Sequence, residues 1–155
     1  MFDTIRIYGE HDGTLDAAGR VTIPRRFHPL LDGEGYLTRS PSGPALLLCP
    51  CRYWEELSAQ LHRPPTDLQA RELHALLRFL AAGLPVRLDK QGRLTIPPRL
   101  RQYAGLDRAV ILLAMGTHLE IWDRDTWDRY CAELDVQEMA RGLAAPEAGR
   151  PRGTG

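Results

Sequence analysis

The chain has 155 residues, 43% hydrophobic and 26% charged, with 20 basic against 20 acidic side chains. This is the composition of an ordinary globular protein of one compact domain or two small ones. The longest apolar runs, such as Ala109 to Met115, fall far short of the roughly 20 residues of a bilayer span, so no membrane anchor is expected. The amino terminus, MFDTIRIYGEHDG, lacks the basic start and apolar stretch of a signal peptide, which makes a reducing cytoplasm the expected location.

Taken from the amino terminus, the first patterned segment is LDAAGRVTIPRRF, Leu15 to Phe27. Asp16 suits the first position of a type I turn and Gly19 the position that relaxes after it, so Asp-x-x-Gly reads as a tight reversal. GRVTIP then alternates. Val21 and Ile23 share one face while Arg20 and Thr22 point the other way, which predicts a half-buried strand with a basic outer side. Pro24 ends that strand and opens a helical turn, which Pro29 cuts short. Strands are expected at about Gly35 to Thr38 and Ala45 to Leu48, joined through Gly43, followed by a helix from about Arg52 to Leu61. A further helix should start from a cap at Thr66 or Asp67, after Pro64 and Pro65, and stop at Gly83, with Leu73, Leu76, Leu77 and Leu80 as its buried stripe.

From Leu88 the chain repeats itself. LDKQGRLTIPPRL, Leu88 to Leu100, restates the first motif, and the register holds without a gap: Gly43 aligns with Gly116, Leu46 with Leu119, Leu48 with Ile121 and Trp54 with Trp127. The second copy therefore predicts the same elements. Leu94 and Ile96 face inward, with Arg93 and Thr95 outward; PPRLRQYAGL forms a short helix stopped by Gly105. Strands follow at about Ala109 to Leu113 and His118 to Trp122 around a turn at Gly116. A helix from about Arg124 to Leu134 is capped by Asp123, with Trp127, Tyr130, Cys131 and Leu134 as its apolar stripe. From about Gln137 the chain is rich in Ala, Gly, Pro and Arg and reads as a disordered tail. A period this long occurring twice is no solenoid, and each copy alone is too short to bury a core, so the copies should share one as a pseudo-symmetric pair.

Catalytic and metal chemistry find little support. No GxGxxG, GxxxxGK[ST] or GxSxG segment occurs, and Ser, Cys and His are too scattered for a triad. Cys49, Cys51 and Cys131 lack the second pair that structural zinc requires, and read as small buried or half-buried residues. The five histidines show no ligand spacing. No enzyme activity, cofactor, metal or small-molecule ligand is therefore expected. The repeated D-x-x-G-R-[VL]-T-I-P is the feature that needs a functional account. Turn and core packing explain most of it, but not the outward Arg20 and Arg93, nor the accompanying Arg25, Arg26, Lys90, Arg99 and Arg101. Arginine's planar fork suits phosphate and guanine edges, and a β-ribbon fits the DNA major groove. A local basic face can bind phosphates despite zero net charge, because the field is local within a Debye length of about 8 to 10 Å.

In these residues the chain resembles the MraZ family of bacterial transcription regulators. The resemblance runs from about Tyr8 to Leu134 and is carried by LDAAGRVTIPRRF, LLLCPCRYWEEL, LDKQGRLTIPPRLRQYAGL and GTHLEIWDRDTWDRY in that order. It implies an α+β fold of two tandem AbrB-type swapped-hairpin β-α-β repeats, which share a small pseudo-two-fold barrel with flanking helices. The corresponding divisions are a first repeat at 8–57, a linking helix at 58–84, a second repeat at 85–134 and a disordered tail at 135–155. It also implies a homo-oligomeric ring that binds direct repeats in double-stranded promoter DNA. The promoter is commonly that of its own division and cell-wall operon, repressed for the most part by a nucleoid-associated protein. The key DNA-binding arginine of the family matches Arg20, with Arg93 its counterpart.

The chain departs from the family at Ala17 and Ala18, where a lysine usually precedes the glycine, and at His28, where arginine is frequent. These changes thin the first basic patch and shift the expected contact toward the second copy, which keeps Lys90. MFDTI precedes the usual family start and reads as an extension or a misassigned start codon. The alternative function is a protein-interaction or scaffold barrel whose arginines meet acidic partners, its acidic counterpart being the segment from Asp123 to Asp135. A single-copy antitoxin of the same fold is a weaker third, since a second full repeat stands where a toxin-wrapping tail would.

Overall fold

The computed structural model describes residues 6–31, 33–62 and 67–143. The order of elements in the first copy is β1 (Ile7–Thr14), β2 (Arg20–Thr22), a 3-10 helix (Arg25–Leu30), β3 (Gly35–Arg39), β4 (Leu46–Pro50) and α1 (Cys51–Leu61). The linking helix is α2 (Leu68–Ala81). The second copy follows as β5 (Leu84–Val86), β6 (Arg93–Thr95), α3 (Pro98–Ala104), β7 (Ala109–Gly116), β8 (Leu119–Asp123) and α4 (Arg124–Glu133), and α5 (Val136–Arg141) comes last. The fold is α+β with an open antiparallel sheet.

The strands form a six-stranded sheet in the order β1-β7-β8-β4-β3-β5 and a separate two-stranded ribbon, β2-β6. Under the alignment of the copies, β1 corresponds to β5, β7 to β3 and β8 to β4, so the sheet reads the same from either edge. The centre of the symmetry is fixed by two ladders: Leu47 pairs with Glu120 in β4-β8, and Val21 pairs with Leu94 in β2-β6. Each copy gives its first strand to the other. β1 lies against β7 from Ile7↔Gly116 to Thr14↔Ala109, and β5 lies against β3 from Gly35↔Val86 to Leu37↔Leu84.

One core results. Val21, Ile23, Phe27, Leu37 and Leu48 pack in a single cluster with Leu94, Ile96, Leu100, Leu112 and Ile121, as expected for copies too small to fold apart. The strand expectations hold to within a few residues. Pro29 sits inside the 3-10 helix, whereas the second copy continues to a full α3 ended by Gly105 in the left-handed region at φ 60°.

β3 holds the linking helix by its exposed carbonyls. Tyr36 Oη and Thr38 Oγ1 both donate to Leu80 O, at 2.9 and 2.7 Å, and Arg39 Nη2 donates to Phe79 O at 2.9 Å while its guanidinium stands 4.0 Å from the Phe79 ring centroid. These donors satisfy helix-end carbonyls that have no intrahelical partner. Asp67 caps the start of α2, its side chain accepting from Ala70 N–H; Pro64, Pro65 and Thr66 lie outside the described residues. Gly83, expected only as a helix stop, has a tighter role: a Cβ there would lie 2.2 Å from Leu37 O and 2.6 Å from Thr38 Cβ.

Three expectations are corrected. The stripe on α4 is not core: the helix has no buried residue, Tyr130 and Cys131 are exposed, and Trp127 is half-buried beside Trp122 and Tyr130. Amphipathic spacing alone does not say whether the protomer's own core covers the stripe. Of the α2 stripe only Leu80 is buried, with Leu73, Leu76 and Leu77 half-buried. The segment from 135, expected to be disordered, begins with α5, whose start is capped by Asp135 accepting from Glu138 N–H and whose side carries a Glu138–Arg141 ion pair. The rest of the expected tail, from 144, lies outside the described residues.

Gly83→Ala should lower stability by about 1–3 kcal/mol, the usual cost of forcing atoms into a packed site. A lower urea midpoint at unchanged slope is the expected reading.

Candidate nucleic-acid interface

The two motifs fold alike because their aspartates do. Asp16 Oδ1 accepts from Ala18 N–H at 3.0 Å and Arg20 N–H at 2.8 Å, and Asp89 Oδ1 accepts from Gln91 N–H and Arg93 N–H, both at 2.9 Å. Gly19 and Gly92 close the turns at φ 81° and 76°, a region that favours glycine. The second carboxylate oxygen does something the turn reading missed: Asp16 Oδ2 accepts from Arg20 Nε at 2.9 Å, and Asp89 Oδ2 from Arg93 Nε at 2.8 Å. The signal in sequence is the four-residue spacing of Asp and Arg around the glycine.

Each turn is also bonded to the opposite copy. Ile96 N–H donates to Gly19 O at 2.8 Å and Ile23 N–H to Gly92 O at 2.9 Å. The β2-β6 ribbon is thus anchored at both ends. Its inner face is Val21 and Leu94, 1% and 0% exposed. On its outer face Arg20 stands opposite Thr95 and Thr22 opposite Arg93, a two-fold pattern of two arginines and two hydroxyls. Alternation in the sequence anticipated this orientation; Thr22 and Thr95 were not among the candidate site residues.

The remaining candidates disperse. Lys90 is exposed in the second turn, and Arg25 and Arg99 are exposed at the starts of the helical segments that leave the ribbon. Arg26, also exposed, turns to the sheet edge, where Nη2 donates to Glu10 O at 3.2 Å and the guanidinium stands 4.6 Å from the Phe27 ring centroid. Arg101 is half-buried against the first turn: a Cβ on Gly19 would lie 2.9 Å from its Cζ. Its counterpart His28 lies against Gly92, with Nε2 2.7 Å from Ile23 O.

With Nε held by a carboxylate, Arg20 and Arg93 present their terminal Nη groups, which take no other protein partner among the described residues. A planar fork held in place loses less side-chain entropy on binding a phosphate or a base edge. The half-exposed pairs contribute little stability by themselves; their effect is orientation.

No group of three or more metal-ligating side chains occurs among the described residues. Cys49 is buried and its thiol is pushed up to about 12 by burial, which leaves it inert at neutral pH; Cys51 is half-buried, and Cys131 is exposed rather than covered as expected. No helix among the described residues is long and apolar enough to cross a membrane.

The family model for MraZ protein, described there as antitoxin-like, matches residues 79–145. The chain is 38% identical over 141 residues to the transcriptional regulator MraZ of Acetivibrio thermocellus, covering 88% of this chain and 96% of that protein. It is 36% identical to the transcriptional regulator MraZ of Leuconostoc mesenteroides, covering 87% and 94%. The protein of that name from Lactiplantibacillus plantarum is 37% identical, covering 88% and 96%.

The Arg20 and Arg93 backbone N–H bonds, followed by their side-chain bonds and charges, hold the Asp16 and Asp89 carboxyls below the ordinary aspartate value. A depressed carboxyl stabilises the fold fully above its unfolded-state pKa, and the contribution fades as pH falls through the folded value. The part of the stability that these two carboxyls contribute should therefore be lost only as pH falls below the ordinary aspartate pKa. In Asp16→Asn/Asp89→Asn the acid limb of the unfolding curve should be shallower, at the expense of stability near neutrality.

Proposed function

The chain belongs to the MraZ family, and on that footing we propose that it is a sequence-specific DNA-binding transcriptional regulator whose reading surface is the β2-β6 ribbon. The observation that carries the proposal is the pair of carboxylate-held arginines, Arg20 and Arg93, on the outer face of a two-stranded ribbon whose inner face is locked in the core. A ribbon of this kind fits the major groove, and an arginine fork suits the O6 and N7 acceptors of guanine. Arg25, Lys90 and Arg99 supply charge around it for backbone phosphates, which hold the protein in register while the base contacts specify. Arg26 and Arg101 take a smaller part in that surface, since one is drawn to the sheet edge and the other lies under the first turn.

The finer reading follows the family resemblance. The strand exchange between copies supports a tandem AbrB-type swapped-hairpin arrangement with a pseudo-two-fold axis. Exposed Tyr8, Met115, Tyr130, Val136 and Met139, with the half-covered stripe of α4, support assembly of protomers. A ring of protomers on spaced direct repeats would gain avidity on the order of 100-fold or more over one protomer, if the spacing fits. The natural target is the promoter region of its own division and cell-wall gene cluster, with repression as the outcome and the nucleoid as the location. The relatives are named as transcriptional regulators, which supports a role in binding.

The test compares the DNA upstream of the gene with a scrambled fragment of equal length across a salt series. Wild-type protein should prefer the native fragment, with log K falling against log[salt] at a slope near −0.9 per phosphate neutralised. Arg20→Ala should lose about 1–3 kcal/mol of discrimination per bidentate contact and keep its oligomeric mass in light scattering. Equal weak binding to both fragments by wild type would instead favour a protein-interaction barrel.

A further inference from the structure

The internal symmetry breaks in the segment that follows each strand of the ribbon. In the first copy this segment is the 3-10 helix, and Leu30 anchors its end in the common core, 2% exposed. The residue aligned with Leu30 is Tyr103 of α3, which stays outside the core. Its hydroxyl donates to Ser40 O at 2.9 Å, with Gly43 O at 3.4 Å, and its ring meets that of Phe79 edge to face at 5.8 Å. Arg39 completes the group, with its guanidinium 5.7 Å from the Tyr103 ring centroid and 4.0 Å from that of Phe79. Phe79 belongs to the linking helix, so β3 and α2 together grip α3. The aligned residues of the other copy, Leu30 and fully buried Leu112, cannot form this polar clamp.

A seven-residue helix seated on two buried side chains, Leu100 and Ala104, has little to stop it rolling about its axis, and Tyr103 supplies the stop. The roll matters because α3 carries Arg101 against the first turn. A Cβ on Gly19 would lie 2.9 Å from Arg101 Cζ and 3.0 Å from Nη1, so the guanidinium abuts the backbone one residue before Arg20. Arg101 Nε is buried without a hydrogen-bond partner, so no bond of that nitrogen fixes the group and its place follows from the helix that carries it. On the second turn the corresponding side chain is His28, whose Nε2 is fixed 2.7 Å from Ile23 O.

Resting on the reading of the β2-β6 ribbon as the surface that meets DNA, we infer that Tyr103 is a positioning residue for Arg20. It acts through α3 and Arg101 on the first turn and leaves Arg93 untouched. The two arginines, equivalent in sequence, are thus aimed by different devices, one tied to the linking helix through Tyr103 and the other not. A contact shifts an equilibrium by no more than its own free energy, and one net hydrogen bond corresponds to about three- to tenfold.

Two variants test this. Tyr103→Phe removes the hydroxyl and keeps the ring, whereas Phe79→Leu removes the ring contact and keeps the hydroxyl. In the DNA-free full-length protein, the Nε–H proton of Arg20, held by Asp16, should exchange with water about three- to tenfold faster in either variant, with that of Arg93 unchanged. Discrimination between the native and scrambled upstream fragments should fall by the same factor in the wild-type and Arg93→Ala backgrounds. In the Arg20→Ala background it should fall no further. A merely structural role would move both arginines and act alike in both backgrounds. Equal acceleration at the two protons, no acceleration at Arg20, or an undiminished loss in Arg20→Ala overturns the inference. A wild type that does not discriminate between the fragments strikes the DNA reading instead, and the two Nε–H rates then decide the role of Tyr103 alone.

Discussion

β3 and β7 each need a neighbour on both sides, and each finds one of them in the other copy of the repeat. That exchange constrains everything else. Four ladders cross between the copies, β1-β7, β4-β8, β3-β5 and β2-β6, so the hydrogen-bonding groups of one half are satisfied only when the other half is in place. Backbone groups left unpaired in a core are too costly to tolerate, which makes the duplicated chain a single cooperative unit. The linking helix serves the same end: its terminal carbonyls are fixed to Tyr36, Thr38 and Arg39, and Gly83 lets the chain pass close enough to β3 for β5 to pair with it.

The ribbon inherits its rigidity from that arrangement. Three residues per strand would be marginal in isolation, yet Val21 and Leu94 are sealed in the common core and each turn is bonded to the far strand's end. The aspartate of each motif joins the two levels. With one oxygen it shapes the backbone of the turn, and with the other it aims the arginine that follows, so local conformation and the direction of the cationic group are set by the same carboxylate. Copies that agree so closely at this point differ beside it, where histidine in one and arginine in the other meet the opposing glycine.

Much of this was legible in the residues. Alternation in GRVTIP and GRLTIP gave the strand faces, proline and glycine gave the ends, and Asp67, Asp123 and Gly105 cap their helices as their types suggest. β1 and β5 were not legible, because IYGEHDGT carries apolar side chains only at Ile7 and Tyr8, and LPV is three residues long. Their strand character comes from a partner remote in sequence, not from a periodicity of their own. The apolar stripe of α4 was visible, but spacing cannot tell a core face from one left for another chain. The arginines were found by type; which of them stay with the ribbon depended on contacts of Arg26 with Glu10 and of Arg101 with Gly19 that only the folded chain creates.

The pairing of Ile7 with Gly116 also sets an order of events during synthesis. A ribosome adding about 5–20 residues per second exposes the first strand for some seconds before its neighbour emerges. A sticky segment would use that interval to pair with the wrong chain. β1 is protected by its composition: Gly9 and Gly13 are poor strand formers, and Glu10 and Asp12 place charge along the segment. The sequence that makes the strand hard to recognise therefore keeps the nascent chain from aggregating until the second copy arrives.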